Sequence, residues 1–481
     1  MISPQTYQTY KNLPPLAGVA THAEAAKPGL GIEECVSRLK RFHYAFKRLH
    51  EIFTARITAE PIYELKTGFA HHAYLCAEHV DALRTRIGEM REPPLGLVEV
   101  PHPALEVLFD EVRAAPTTRL LLSGIYKCIV DSLLEAIDAY LRETNPLTDA
   151  PSRRLLRFAH LELSDIRKFG ELAIEALEPA PEWIGWRTAT LDPLLVAAMG
   201  FDGVSQYGGA ITLTTDIPRR FSATPYVYDP IPKRDERWQD SYNQGVNPEA
   251  FLYDPAMPSK PKALMMLFKR IREIDVPEMM ASILTETKGK PWKFYRDMSR
   301  QLWDEARHAM MGEVGFVALG VDWTKARITH NWSLRLNTEC TPTERHAVLY
   351  FIEQGLMTKA GKRFEWEVGV DSGIPLMATI QDFDWADEVL HAAIGRVWYI
   401  PQFENINKAL EYGDQCWAKI VSNWKEVKDQ GLTNHENWWP AIYRQACEAW
   451  GETPDPKVLA YSTTYEGKRA DLKEVGVGAS G

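Results

Sequence analysis

The chain has 481 residues, 45% of them hydrophobic and 25% charged, the balance expected of a soluble globular protein with a buried core. Its formal charge of −10 is offset by no basic tract, which argues against nucleic acid or an anionic membrane as partner. No apolar run approaches a membrane span, MISPQTYQTYKNLPPLAG lacks the regions of a secretory signal, and the six scattered cysteines form no C-x-x-C, so reduced thiols in a cytoplasmic protein are expected.

Residues 1–30 lack periodicity and read as an arm. From Ile32 to about Met90 the pattern is helical: Leu39, Phe42, Phe46, Leu49 and Phe53 recur at three- and four-residue spacing, and a second helix follows through HHAYLCAEHVDALRTRI. Beyond the Pro-rich break near REPPLGLVEVPHP, two more helices are predicted over roughly 118–143 and 151–178, separated by TNPLTDAPS. Residues 31–180 thus read as one four-helix set. Residues 181–258, rich in Gly, Pro and aromatics, read as a long irregular connecting arm with short elements of its own.

Helices resume near residue 260. One runs through KALMMLFKRIREIDVPEMMASILTE, and a second, WKFYRDMSRQLWDEARHAMMGEVGF, follows the GKP turn. A third opens at the capping box Thr341-Pro342-Thr343-Glu344, and a fourth spans about Pro375 to Ile400. Residues 259–400 are a second bundle, and 401–481 add further helices and a tail. The fold class expected is all-α.

The second helix of this later set carries Glu305-x-x-His308, and the fourth carries Glu388-x-x-His391 on a stripe with Ile380, Asp384, Gly395 and Trp398. The third helix places Glu353 among Leu349, Ile352, Leu356 and Met357. On the first, Glu278 shares a stripe with Leu264, Leu267, Ile271, Ile274 and Ala281. Glu273 competes for this place, with Glu286 third; Lys269 and Arg270, one turn before Glu273, read as a solvated face, so Glu278 is favoured. A single Glu-x-x-His is commonplace, but inward carboxylates on four successive helices repel one another unless cations lie among them. Two divalent ions, each capped by one imidazole, supply that charge. Oxygen and imidazole donors without thiolate suit iron or manganese better than structural zinc.

On these six residues, the 260–400 region resembles the ferritin-like superfamily of di-iron and di-manganese carboxylate proteins. The resemblance implies a ferritin-like four-helix bundle holding two iron ions, with manganese as the alternative. Glu305 and Glu388 would bridge the ions and form the catalytic centre, with Glu278 and His308 on one ion and Glu353 and His391 on the other. It further implies an oxidoreductase, an oxygenase such as a monooxygenase or an oxidase, that uses O2 on a small organic substrate. Electrons would come from the substrate or an external donor, and a homo-oligomer is compatible. A radical-bearing relative would want a tyrosine where Gly312 stands, although Tyr350 is a candidate on the third helix. A non-catalytic helical protein with a structural role is the remaining alternative.

The halves share a trace, FKRLHEI at 46–52 against FKRIREI at 268–274. This register sets Arg56 opposite Glu278, Glu78-x-x-Asp81 opposite Glu305-x-x-His308, Glu135 opposite Glu353, and Glu162-x-x-Asp165 opposite Glu388-x-x-His391. It predicts a duplicated bundle whose first copy is degenerate and metal-free. His71 and His72 read as surface or core residues, Asp384 as an outer partner of a ligating histidine, and Asp304 and Asp387 as exposed.

Overall fold

The computed structural model describes residues 2–90, 96–205, 219–421, 424–466, 469–472 and 475, and among them there is helix and loop but no strand. No helix among them is long and apolar enough to cross a membrane. All six cysteines are buried and none forms a disulfide. The chain divides into two compact units, Met1–Phe53 with His72–Val227, and Thr54–His71 with Tyr228–Gly481. The connecting arm of the sequence reading is therefore shared out at Val227, and a short early segment belongs with the later bundle.

The first unit is built on α1 (Ile32–Arg56), α2 (Tyr63–Glu89), α3 (Pro103–Arg113), α4 (Thr118–Gly124), α5 (Asp131–Glu143) and α6 (Ala150–Leu177), with a π-helical stretch, Ile125–Val130, joining α4 to α5. The last turn of α1 and the first of α2 fall in the second unit. Helix α3 lies where sequence reading saw only a break; Pro103 opens it and His102 accepts from the Ala104 N–H at 3.2 Å. Leu39, Phe42, Phe46, Leu49 and Phe53 are fully buried, as their spacing predicted. The arm docks through Glu111, a buried carboxylate that accepts from the N–H groups of Arg220, Phe221 and Ser222 at 2.7–3.1 Å and from the Trp186 indole at 3.1 Å. Residues 206–218 of that arm, GGAITL among them, lie outside the described residues.

The register that aligned the two halves does not carry over to the core. Glu135 and Asp165 point outward, Glu162 is half-buried and meets His79 Nε2 at 2.7 Å, and Arg56 belongs to the second unit. No metal-holding cluster forms among this unit's described residues. Buried imidazoles take the interior instead: His43 and His50 on α1, His72 and His79 on α2. Neither ring nitrogen of His43 has a hydrogen-bond partner. Burial, then the charges of Arg84 and Lys47, lowers the His43 pKa to about 3, and burial with Lys47 does the same for His50. Unfolded histidine titrates near 6.5, so between about pH 6.5 and 3 the unfolded chain binds protons that the folded one refuses. The contribution of these two histidines to stability is thus at full value above that window and falls as pH drops through it. Thermal unfolding followed by circular dichroism from pH 8 to 4 should show the midpoint falling below about pH 6.5, and His43→Phe should flatten that slope.

In the second unit α7 (Ser259–Arg272) leads into α8 (Asp275–Glu286), followed by α9 (Trp292–Ala318), α10 (Asn331–Glu339), α11 (Pro342–Leu356), α12 (Lys362–Asp371), α13 (Pro375–Trp398) and α14 (Ile406–Val421). The segment α7–α8, α9, α13 and α11 pack in that order around a shared interior, while α12 lies against α7 and α13. Thr341 caps α11 by the expected reciprocal box with Glu344. The single helix predicted over α7 and α8 is broken at Glu273 and Ile274. Pro277 has no N–H to offer the Glu273 carbonyl, so the last turn of α7 cannot continue.

Gly312 lets α7 and α9 touch backbone to backbone: a Cβ there would press on the Ile271 nitrogen and, at 2.8 Å, on the Leu267 carbonyl oxygen. This is also why no tyrosine can occupy that position. Because backbone cannot yield as a side chain does, Gly312→Ala should cost about 3 kcal/mol in a urea melt.

Candidate metal centre

The break after α7 turns Glu273 into the bundle interior and sends Glu278 elsewhere. Three groups of side chains in this unit bring ligand atoms within 4.8 Å of one another: Glu305, Glu353, Glu388 and His391; Glu273, Glu305 and His308; and His308, Asp384 and Glu388. Five of the six residues expected from sequence are thus drawn together, and Glu273 stands where Glu278 was expected.

Glu278 is fully buried but ion-paired. It meets Lys66 Nζ at 2.5 Å and Arg234 Nη2 at 2.9 Å, and accepts from Ser333 Oγ at 2.9 Å. Burial opposes its ionisation, yet Arg234 and Lys66 hold its pKa at about 2. Both of its oxygens are spoken for. Lys269 and Arg270, which had read as a wet face, are themselves buried in ion pairs, so their charge was no guide to where Glu273 points. Glu286, the third candidate, pairs with Arg345.

The two histidines are held alike. His391 Nδ1 lies 3.2 Å from Glu305 Oε1, 3.2 Å from Glu388 Oε2 and 3.9 Å from Glu353 Oε1, while its Nε2 faces Asp304 Oδ2 at 3.4 Å. His308 Nδ1 lies 3.5 Å from one oxygen each of Glu273, Glu305 and Asp384, and its Nε2 faces Asp387 Oδ2 at 3.2 Å. Each ring therefore turns one nitrogen toward shared carboxylates and the other toward an aspartate, the arrangement that orients metal-bound imidazole. Asp304 and Asp387, expected to be exposed, are these outer partners. Arg307 Nη2 bridges the two, reaching Asp387 at 2.7 Å, and Arg300 meets Asp304 at 2.9 Å. Asp384, expected as an outer partner, sits on the inner side, where Arg270 and Lys362 hold it.

Do these residues fit a metal? Several buried ligand atoms have no hydrogen-bond partner: His308 Nδ1, Glu353 Oε2 and Glu273 Oε2. Separations of 3.2–3.9 Å among the inner atoms suit donors sharing one ion at bond lengths of about 2.0–2.2 Å. The electrostatics agree. Burial, then the charges of Glu388 and Glu305, pushes the Glu353 pKa well above its ordinary value. Burial opposes charge on His308, but Asp387, Glu273 and Glu305 outweigh it and hold its pKa at about 10. His391 is likewise raised, by Asp304, Glu305 and Glu388 against burial. These shifts mark an interior with more negative charge than its own fixed cations balance.

A pocket is lined by Glu273, Glu305, Glu353 and Glu388. Its lining also includes Met279, Val348 and Ile352, the charged Arg272, Asp275 and Arg469, and Trp332 and Trp417 set edge to face at 4.9 Å. Tyr350 is not among the lining residues, and its hydroxyl donates to Gln354 Oε1 at 3.2 Å. His71 stacks on Trp303 at 4.4 Å, and His72 is buried against the Tyr126 hydroxyl at 3.0 Å, a core role for both.

Residues that sequence reading missed are Glu273's neighbours Arg270 and Lys362, and the outer set of Asp304, Asp387 and Arg307. The i, i+3 and i, i+4 spacing of Arg300, Asp304 and Arg307 was a visible trace of the latter. Comparison with known proteins adds nothing to the geometry: no family model, curated protein or solved structure matches the chain.

Proposed function

We propose that the second unit is a ferritin-like carboxylate centre for two iron ions, or manganese in their place, and that the protein is an oxidase or oxygenase acting with O2 on a small organic substrate. The observation that carries this reading is the paired arrangement of His308 and His391, each with Nδ1 turned to Glu305 and Nε2 turned to an aspartate. Glu305 and Glu388 are the shared carboxylates, Glu273 and His308 serve one position, and Glu353 and His391 the other. When bound, two reduced ions supply electrons for the reduction of dioxygen. The chain's part is to hold ligands, exclude water and place substrate. Asp304 and Asp387 fix the imidazole tautomers by accepting from Nε2–H. The apolar wall at Met279, Val348 and Ile352 favours an uncharged or mostly apolar molecule and keeps bulk water from the carboxylates. No flavin or iron–sulfur motif is present in the sequence, so electrons beyond those of the ions come from substrate or a separate reductant.

Anaerobic loading with Fe(II), gel filtration and metal analysis test this directly. Retained iron, with a new near-ultraviolet absorption on exposure to air, is expected. Absence of retained iron and manganese would overturn the assignment and leave a buried ion-pair network in a structural protein.

A further inference from the structure

The two positions differ in one respect that the paired histidines hide: fixed cations reach the inner carboxylates on one side only. Lys362, fully buried on α12, places Nζ 2.9 Å from Glu388 Oε1 and 2.8 Å from Asp384 Oδ2. Arg270, also fully buried, meets Asp384 and reaches Glu273 Oε1 at 2.9 Å. The Glu388 oxygen on Lys362 is not the one facing His391, which is Oε2 at 3.2 Å. So on the His308 side, Glu273, Asp384 and one oxygen of Glu388 are already engaged by an ammonium and a guanidinium. On the His391 side, by contrast, Glu305 and Glu353 have no lysine or arginine within ion-pair distance among the described residues; Gln301 donates to Glu353 Oε1 at 3.1 Å, and Glu353 Oε2 has no partner.

Resting on the metal-centre reading above, we propose that the positions fill in order: a divalent cation binds first and tightly among Glu305, Glu353, Glu388 and His391, and Lys362 holds back the second at Glu273, Glu305, His308 and the other oxygen of Glu388. Two effects set the order. A second ion meets two like charges in a low-dielectric interior, where Coulomb repulsion is weakly screened. It also needs the Glu388 oxygen that Lys362 holds, and freeing that oxygen leaves an ammonium buried without its full set of partners. Lys362 is a positioning residue in this scheme: it acts on the second position through Glu388 and Asp384. Protein that meets scarce metal would hold one ion, and only abundant metal would complete the pair.

Titration of the full-length protein with Mn(II), read by equilibrium dialysis and electron paramagnetic resonance, tests the proposal. The first equivalent should bind at least about 100-fold more tightly than the second and give the signal of an isolated Mn(II), with spin-coupled pairs appearing only at excess; the magnitude follows the effect of losing outer contacts to metal ligands. Lys362→Met, with Lys362→Gln as a second variant should that fold poorly, should narrow the gap by about tenfold or more, and Lys362→Arg should keep it. Equal affinities, coupled pairs from the first addition, or a gap unchanged in folded Lys362→Met would overturn the order while leaving a dinuclear centre intact. No Mn(II) binding at all would overturn both this inference and the metal-centre reading beneath it.

Discussion

Replacing Glu305 with alanine should strip metal from both positions at once. Its Oε1 lies 3.2 Å from His391 Nδ1 and its Oε2 lies 3.5 Å from His308 Nδ1, so one carboxylate spans the pair. Losing even an outer partner weakens metal by about 10–100-fold, and losing a shared ligand should exceed about 100-fold. Iron or manganese per chain after dialysis reads the effect. The fold should survive, because removing one of several crowded carboxylates also relieves repulsion on Glu353. Full metal retention in folded Glu305→Ala would place the ligand set elsewhere.

The second large effect separates the two first-helix glutamates. Glu278→Ala leaves Lys66 buried without its carboxylate and Arg234 with Asp275 alone, which should cost about 3–5 kcal/mol. The urea midpoint should fall by the corresponding amount, while metal content of the folded fraction stays at the wild-type level. Glu273→Ala should do the reverse, lowering metal affinity with a smaller change in midpoint, since Arg270 keeps Asp384 and Glu365 as partners when Glu273 is lost. If Glu278→Ala lost metal and Glu273→Ala kept it, the reading of the broken helix would be wrong.

These two residues also show where sequence reading stops. Both Glu-x-x-His pairs were legible because a three-residue spacing on a helix fixes side chains on one face whatever surrounds them. Glu353 was legible because four apolar neighbours enclosed it. Glu273 was misread because Lys269 and Arg270 look the same in sequence whether they meet water or a buried carboxylate. Only the break imposed by Pro277 decides the matter, and its angle is a tertiary quantity. Lys362 was not legible at all, since it arrives from a helix outside the expected four. The shared heptapeptide trace misled for a related reason: it records local helix chemistry, whereas Glu135 and Asp165 face outward because of how α5 and α6 pack. The arrangement of helices, all-α with Glu-x-x-His on the second and fourth of the later set, was legible from period and caps alone.

The Arg307 bridge bears on how ions would enter the proposed centre. By tying Asp304 to Asp387 it joins α9 to α13 behind both histidines, using protein groups throughout. The imidazoles are aimed by folding itself, and an incoming ion has no loose chain to gather. In small zinc domains the ion's binding energy is the folding energy, and chelation unfolds them. On the metal-centre reading, the setting of rings and carboxylates would be made by the fold before any ion arrives, and chelation should empty the centre without unfolding the chain.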